Sequence, residues 1–356
     1  MARVFGYIGT YTEGSGNSKG IYSFVMDADT GLIEDIHLAA ESRNPAYLAV
    51  GPSRRFLYAV NEVASYDDRP HGMVSAYAVG LDGSLKFLNR KSSGGAGPCH
   101  ISIHRGGNFA VAANYGEGTL GVLPIGEDGK LGNPVQIIRY QGSGPNEKRQ
   151  EQAHAHSFTF APDSANGFAC DLGSDKVMLY RFDAKARAPL IPWEKPFAEA
   201  IPGCGPRHGV FHPKGNYAYV LDELKSTVEV YAYSEGRSFE RTQVISSLPK
   251  RTGRTESIAA AIKIRADGKF VYASNRGHDS IAVLKVLSNG SLDFVEAVPS
   301  GGKHPRDFTL DPGGNYLLAL NRDSDNLVVF KISQRTGTLK KEREYTVLTP
   351  TGIVFR

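Results

Sequence analysis

The sequence predicts an all-β protein, a seven-bladed β-propeller with four antiparallel strands in each blade. Three observations predict this fold: helical periodicity is nearly absent, short β-branched and aromatic runs alternate with turn residues, and one hairpin pattern recurs. The 40 glycines and 19 prolines among 356 residues suit a chain of short strands and tight turns. We therefore expect residues 1–356 to form a single propeller domain.

The recurring hairpin appears six times at intervals of roughly 50 residues, the usual length of a four-stranded blade. It is clearest as HGVFHPKGNYAYVLDE, which starts at His208. A third and a fourth strand follow this copy as STVEVYAYS and SFERTQVIS. The other copies start at Tyr47, His100, Ser157, Ala261 and Asp307.

The two ends of the chain supply the parts of a seventh blade. The N-terminal segments VFGYIGTYT, KGIYSFVMD and LIEDIHLAA are three strands that lack a first strand. The C-terminal TPTGIVFR is a first strand that lacks the others. Joined in one sheet, they would close the ring and leave no long sheet edge exposed.

Composition and charge exclude several classes of protein. The formal net charge is +4 without a basic block or basic helix, so nucleic acid is not expected as a partner. No apolar run approaches the ~18 to 20 residues that span a bilayer, so no membrane is expected as a partner either. The opening MARVFGYIGTYTEG lacks the apolar segment of a signal peptide, and a cytoplasmic protein is therefore predicted.

The sequence predicts no cofactor and no metal. Gly116, Gly118 and Gly121 match GxGxxG but lead into a strand, so no dinucleotide site follows. The three cysteines are isolated, which favours neither a disulfide framework nor a structural zinc site. His154 and His156 share a strand face as a possible metal pair, but no third ligand lies nearby.

Charged residues concentrate at one end of the recurring hairpin. Its first strand begins and its second strand ends at the same face of the ring, so Arg207 and Glu223 should meet at one mouth of the central channel. The positions equivalent to Arg207 are Ala46, Cys99, His156, Ala260, Arg306 and Thr351, and those equivalent to Glu223 are Glu62, Tyr115, Leu172, Arg276 and Arg322.

This register predicts that one side of the mouth is basic and contains a carboxylate. Asn or Asp recurs just before the Glu223 position, where it is expected to bond turn backbone. An alternative interpretation is structural: Arg207 and Arg276 would pair with Glu223 only to clamp neighbouring blades.

At these residues the chain resembles a known family. The segments GPRHGVFHPKGNYAYVLDEL, SNRGHDSIAVLKV, HAHS and HPRDFTLDPGGNYLLALN are similar to those of the seven-bladed lactonase family. That family contains bacterial propeller-type 6-phosphogluconolactonases and fungal carboxy-muconate lactonizing enzymes. The resemblance covers the whole chain, and GPRH with the glutamate of DEL is its most specific part.

The resemblance implies an active site at the channel mouth. It places the catalytic groups at His156, Arg207 and Glu223, and it places substrate binding at Arg276 with His208, Arg306 and His154 as further candidates. Arginine suits phosphate because its planar fork makes bidentate, charge-assisted hydrogen bonds. Because nearby arginines would lower the pKa of Glu223 and weaken it as a base, His156 is favoured as the base when Glu223 is tightly paired.

Three functions follow in order of expectation. The first is hydrolysis of a small anionic lactone, 6-phospho-D-glucono-1,5-lactone, to 6-phosphogluconate in the pentose phosphate pathway. The second is carboxy-cis,cis-muconate cyclization, in which the same arginines would bind carboxylates. The third is a non-enzymatic binding module, against which the blade-specific charges and the single tryptophan argue, since repeated Trp-Asp signatures are absent.

Overall fold

The computed structural model describes residues 3–13, 18–67, 69–250 and 256–356, which form a ring of seven four-stranded antiparallel sheets. Each sheet is one blade. The first strands lie side by side around a central channel, and the fourth strands lie outermost. The predicted seven blades of four strands are confirmed.

The strands of each blade are given from the channel outward. Blades 1 and 2 consist of Pro45–Val50, Phe56–Asn61, Met73–Val79 and Leu85–Ser92, then Pro98–Ile103, Phe109–Asn114, Thr119–Pro124 and Gln136–Arg139. Blades 3 and 4 consist of Ala155–Phe160, Asn166–Asp171, Lys176–Phe182 and Leu190–Glu199, then Pro206–Phe211, Tyr217–Asp222, Thr227–Ser234 and Ser238–Ser246. Blades 5 and 6 consist of Ile258–Ile264, Phe270–Arg276, Ser280–Val286 and Leu292–Pro299, then Pro305–Leu310, Tyr316–Asn321, Asn326–Ile332 and Leu339–Thr346.

The seventh blade joins the two ends of the chain. Pro350–Phe355 is its first strand, and Arg3–Thr10, Gly20–Asp27 and Ile33–Glu41 complete it. Pro350–Phe355 lies between the first strands of blades 6 and 1. The predicted closure of the ring is therefore confirmed.

Two small elements lie outside this scheme. A hairpin of Ser65–Tyr66 and Arg69–Pro70 connects the second and third strands of blade 1. A 3-10 turn, Arg322–Ser324, follows the second strand of blade 6. In the described part of the chain no helix is long and apolar enough to cross a membrane.

The core lies between adjacent blades. Second strands are packed between two neighbouring sheets, so they read as apolar runs; every residue of Tyr316–Asn321 is buried. Fourth strands have one solvent-exposed face, so Leu339–Thr346 contains exposed lysines and glutamates. In one interface, Phe158 and Tyr180 of blade 3 pack with Val111 of blade 2.

Tyrosines tie neighbouring blades together at the face opposite the charged mouth. Each donates its hydroxyl hydrogen bond to a glycine carbonyl in the turn between the third and fourth strands of the next blade. The pairs are Tyr7 with Gly83 (2.8 Å), Tyr58 with Gly129 (3.1 Å), Tyr219 with Gly290 (3.1 Å) and Tyr272 with Gly337 (3.0 Å). Glycine is required at Gly290, because its φ is +77° and a Cβ would lie 2.4 Å from the Tyr217 ring.

A β-bulge opens the first strand of every blade and explains the concentration of charge at one mouth. In blade 4, Pro206 pairs with Asp222 and His208 with Leu221, which leaves Arg207 as the extra residue. Such a bulge redirects a side chain and ends regular pairing. The same irregularity falls at Ala46, Cys99, His156, Ala260, Arg306 and Thr351.

The recurring Asn or Asp at the end of the second strand is structural. All six of these side chains are buried, and five of them bond backbone groups of the connection that enters the blade. For example, Asn275 Nδ2 donates to the Ser247 carbonyl at 3.1 Å. These bonds fix the end of the second strand, and therefore fix the residue that follows it at the mouth.

Candidate active site

Glu223 is the centre of the candidate site. It directly follows the second strand of blade 4 and is only 1% exposed. Arg149 Nη2 donates to Oε1 at 2.5 Å, while Arg207 Nε and Arg276 Nη2 each lie 2.8 Å from Oε2. Three guanidinium groups from different parts of the chain therefore surround one buried carboxylate.

This arrangement leaves an excess of positive charge. Burial alone would raise the pKa of Glu223, but the charges of Arg276, Arg207 and Arg149 outweigh it and hold the pKa well below its usual range. Burial lowers the pKa of Arg276 to about 10, at which it remains charged at pH 7. Three cations against one anion make this half of the mouth attractive to an anion.

The local backbone of the GPRH segment positions Arg207 beside Glu223. Gly205 has a φ of +66°, and a Cβ there would lie about 3 Å from Leu224 and Leu172. Its carbonyl accepts a hydrogen bond from Glu223 N at 2.8 Å, and its own N–H donates to Asp175 Oδ1 at 2.9 Å. The turn therefore fixes Arg207 and Glu223 side by side.

His156 lies next to this cluster. Its Nε2 is 4.0 Å from Glu223 Oε2, and its Nδ1 is 3.6 Å from Cys99 Sγ. Burial, followed by the charge of Arg207, lowers the pKa of His156 well below 6.5 despite the attraction of Glu223. The ring is therefore neutral at pH 7 and able to accept a proton, with a carboxylate nearby to stabilise the resulting cation.

A second carboxylate occupies the same mouth. Glu62 stands in blade 1 where Glu223 stands in blade 4, and its Oε2 accepts a hydrogen bond from Tyr11 at 2.8 Å. Arg306 Nη2 lies 3.2 Å from the same oxygen, and the Arg306 guanidinium lies 5.1 Å from the centre of the Tyr11 ring. Glu62, Tyr11 and Arg306 are called the blade-1 cluster below.

Four side chains that the sequence placed at the mouth do not contact Glu223: Arg306, which pairs with Glu62, and His208, His154 and Arg322. His208 lies deeper in the channel, with its ring centre 5.2 Å from those of His100 and His156. His154 stacks on Tyr115, and its ring nitrogens lie 2.8 Å from the Tyr115 carbonyl and 3.1 Å from Glu151. Arg322 donates instead to Asp323 at 2.6 Å.

The sequence analysis missed Arg149. The signal was present, because fourth strands also end at the charged mouth, so the connection from blade 2 to blade 3 has to cross it. That connection contains the EKRQEQ segment. Tyr11 was missed in the same way: in blade 7 it occupies the register position of Glu223, following Arg3–Thr10.

Potential metal ligands group away from this mouth cluster. One oxygen or sulfur atom from each of Cys204, Asp222 and Glu229 lies within 4.8 Å of the others. Glu229 already accepts hydrogen bonds from Arg241, Tyr231 and Ile201, and Asp222 accepts one from Thr227. These protein partners give the group a structural role in blade 4.

Below the mouth, aromatic rings narrow the channel. Tyr47 packs on His100 with ring centres 4.4 Å apart, and His208 contacts both rings. On the other side of these rings lies a cavity of about 430 Å³, which Lys263 also lines. The rings therefore separate the charged mouth from the opposite end of the channel.

The buried His100 makes stability depend on pH. Burial, with the charges of Lys263 and Arg207, lowers its pKa from 6.5 to about 3. Between these values the unfolded chain binds a proton that the folded chain does not, so the contribution of His100 to stability falls as pH falls. Relative to wild type, His100→Phe should therefore gain about 1.4 kcal/mol of unfolding free energy for each pH unit below 6.5. Denaturant titrations at pH 7.5, 6 and 5 measure the difference, and a constant difference would contradict the assignment.

The chain is a seven-bladed β-propeller whose channel mouth has an excess of positive charge. The chain belongs to the family described as "Lactonase, 7-bladed beta-propeller", whose profile matches residues 5–355. It is therefore a lactonase-family hydrolase, and the resemblance noted in the sequence is confirmed.

Relatives and solved structures support this assignment. The chain is 40% identical to a 6-phosphogluconolactonase of Bacillus subtilis (strain 168), covering 95% of this chain and 94% of that protein. It is 32% identical to a 6-phosphogluconolactonase of Formosa agariphila, covering 94% of each. The structure of the periplasmic gluconolactonase PpgL of Pseudomonas aeruginosa superposes with a TM-score of 0.93 at 32% identity, covering 99% of each chain.

Proposed function

We propose that this protein hydrolyses 6-phospho-D-glucono-1,5-lactone to 6-phosphogluconate. The observation that carries the proposal is the excess of positive charge around Glu223 beside the neutral base His156. The names of the relatives from Bacillus and Formosa support the same substrate. The sequence predicts a cytoplasmic location, where this substrate would be available, and that location stays a prediction.

Arg149 is proposed to bind the phosphate. Its side chain is 35% exposed, whereas those of Arg207 and Arg276 are 3% and 7% exposed. Arg207 also donates to the Ala260 carbonyl and Arg276 to the Ala259 carbonyl. Arg149 Nε and Nη1 have no hydrogen-bond partner among the described residues, so they are available to a ligand. Arg207 and Arg276, which are buried beside Glu223, contribute positive electrostatic potential without being exposed to the ligand.

His156 is proposed to be the general base. In this scheme it takes a proton from the water that attacks the lactone carbonyl, and the carbonyl oxygen becomes an oxyanion near the arginines. Collapse of the tetrahedral intermediate breaks the bond to the ring oxygen, which receives that proton from His156. Glu223, 4.0 Å away, stabilises the imidazolium in between. Glu223 itself is too tightly paired to act as the base.

Carboxymuconate cyclization is the competing reaction for the same arginines. The names of these relatives and of the solved structure support hydrolysis of a lactone and not cyclization. Both reactions are tested on the same purified protein. Hydrolysis should exceed the enzyme-free blank across pH 6 to 8. Cyclization without any such excess would overturn the proposal.

Arg149→Met should reduce the preference for a phosphorylated lactone. The ratio of kcat/KM for 6-phosphogluconolactone to that for glucono-1,5-lactone should fall about 10- to 100-fold, because one charge-assisted phosphate contact is lost. The matched control is Arg105→Met, which removes an exposed arginine from the turn between the first and second strands of blade 2, at the opposite face of the ring. An unchanged ratio for Arg149→Met would place the phosphate elsewhere.

A further inference from the structure

We propose that the blade-1 cluster is the subsite that binds the hydroxyl groups of the sugar, with Glu62 accepting their hydrogen bonds. This inference rests on the proposed function. It adds a specificity-determining residue that lies outside the set of catalytic and anion-binding groups around Glu223.

The geometry of Glu62 is that of a carboxylate positioned for a ligand. Tyr11 and Arg306 both bond Oε2, whereas Oε1 has no hydrogen-bond partner among the described residues. The Glu62 side chain is 23% exposed and that of Glu223 is 2% exposed. One carboxylate of the mouth is therefore enclosed by arginines, and the other presents an accepting oxygen to solvent.

The backbone holds Glu62 and Tyr11 in register. Glu62 N donates to the Asn44 carbonyl at 2.9 Å, and Asn44 Nδ2 donates to the Glu62 carbonyl at 3.3 Å. Asn44 Oδ1 accepts from Thr12 N at 2.9 Å, next to Tyr11. Asn44 thus links the end of the blade-1 hairpin to the end of the blade-7 strand, next to the two side chains that meet there.

Charge divides the mouth into two halves. The group around Glu223 has three guanidiniums and one carboxylate, whereas Glu62 and Arg306 cancel each other. Burial raises the pKa of Cys99, the bulge residue of blade 2; the charges of Glu62 and Glu223 raise it further, and those of Arg207 and Arg306 lower it. Glu62 and Glu223 occupy the same register position of their blades, so the mouth has an anion-binding half around Glu223 and a neutral, hydrogen-bonding half at the blade-1 cluster.

A phosphorylated sugar lactone is divided in the same way, into an anionic phosphate end and a neutral part that carries hydroxyls. Its phosphate requires cations, and its neighbouring hydroxyls require acceptors. A carboxylate oxygen is the strongest hydrogen-bond acceptor among protein side chains, and it accepts from two adjacent hydroxyls. A tricarboxylate without hydroxyls would instead place negative charge against the free Oε1 of Glu62. The blade-1 cluster thus favours a polyhydroxylated lactone over a polycarboxylate.

The test compares one variant on two lactones. Glu62→Gln should lower kcat/KM for glucono-1,5-lactone about 10- to 100-fold, because a charged acceptor for the hydroxyls is lost. For δ-valerolactone, which has the same ring and no hydroxyls, the change should stay within about threefold, because no hydroxyl contact with Glu62 is lost. Because both substrates are assayed on one sample, partial misfolding cancels in the ratio.

Glu117→Gln is the matched control. Glu117 is partly exposed at the same face and pairs with Arg139 at 3.0 Å, away from the channel. It should leave the ratio unchanged. An equal loss on both lactones would overturn the inference and assign Glu62 to the chemistry or to folding, and unchanged activity on both would overturn it as well.

A binding measurement separates this inference from the proposed function. Titration calorimetry with D-gluconate, a product-like polyol acid, should give a Kd about 10-fold or more weaker for Glu62→Gln than for wild type. If wild type hydrolyses no lactone but shows this difference, the reaction is wrong and the hydroxyl subsite stands. If wild type hydrolyses lactones and the two Kd values are equal, the subsite is wrong and the reaction stands.

Discussion

Replacing Glu223 with glutamine should destabilise the protein by about 3–5 kcal/mol, the usual result of removing one partner from a buried ion pair. Glutamine has nearly the same shape, so the loss reports charge and not volume. Arg149, Arg207 and Arg276 would then face one another around a neutral amide within the buried mouth. Denaturant unfolding at pH 7.5 measures the effect, and Glu117→Gln is the exposed control.

Added anions should partly restore the Glu223→Gln variant. An anion that enters the cluster binds the folded state alone, and so raises the unfolding free energy with concentration. Inorganic phosphate at constant ionic strength should therefore stabilise the variant more than it stabilises wild type. A destabilisation of Glu223→Gln below about 1 kcal/mol, the usual value for an exposed ion pair, would contradict the first prediction and show that solvent screens the cluster.

Replacing His156 with alanine should lower kcat by about 10²- to 10⁴-fold, the usual contribution of a general base. KM should change little, because Arg149 and Glu62 remain to bind the substrate. Since the pKa of His156 lies well below 6.5, wild-type kcat should stay level between pH 8 and 6. Initial rates above the blank provide the measurement.

His212→Ala is the control for the assigned mouth. His212 lies in the turn at the opposite face, where its Nδ1 accepts a hydrogen bond from Lys214 N at 3.1 Å. Its removal should leave kcat near wild type. Loss of turnover in His212→Ala with full turnover in His156→Ala would mean that the reaction takes place at the other end of the channel.

The sequence predicted the residues whose positions follow from the repeat. His156 and Arg207 occupy one repeat position, Glu223 and Arg276 another, and aligned hairpins are enough to place both positions at one mouth. The β-bulge that directs His156 and Arg207 into the mouth is invisible in composition. It is nevertheless implied, because the same register position carries functional side chains in several blades.

Residues whose side chains depend on neighbours outside the repeat could not be predicted. His154 precedes its strand by one residue, and its ring direction is set by stacking on Tyr115. Arg322 begins a 3-10 turn, which directs it to Asp323. The connection that contains Arg149 could be placed at the mouth from the strand order, but it has no equivalent in other blades, so no alignment of repeats assigns the partner of Arg149.

The repeated bulge also separates the residues that vary at the mouth from the residues that form the scaffold of the ring. Each blade has two variable positions at the mouth, one at the bulge and one after the second strand. None of the bulge residues belongs to the apolar clusters between the sheets of the described chain. Residues as different as alanine, cysteine, histidine, arginine and threonine occupy the bulge. A combinatorial library restricted to the bulge positions that do not pair with Glu223 would vary the mouth while keeping the tyrosine tethers and the apolar clusters, which makes the scaffold suited to laboratory evolution.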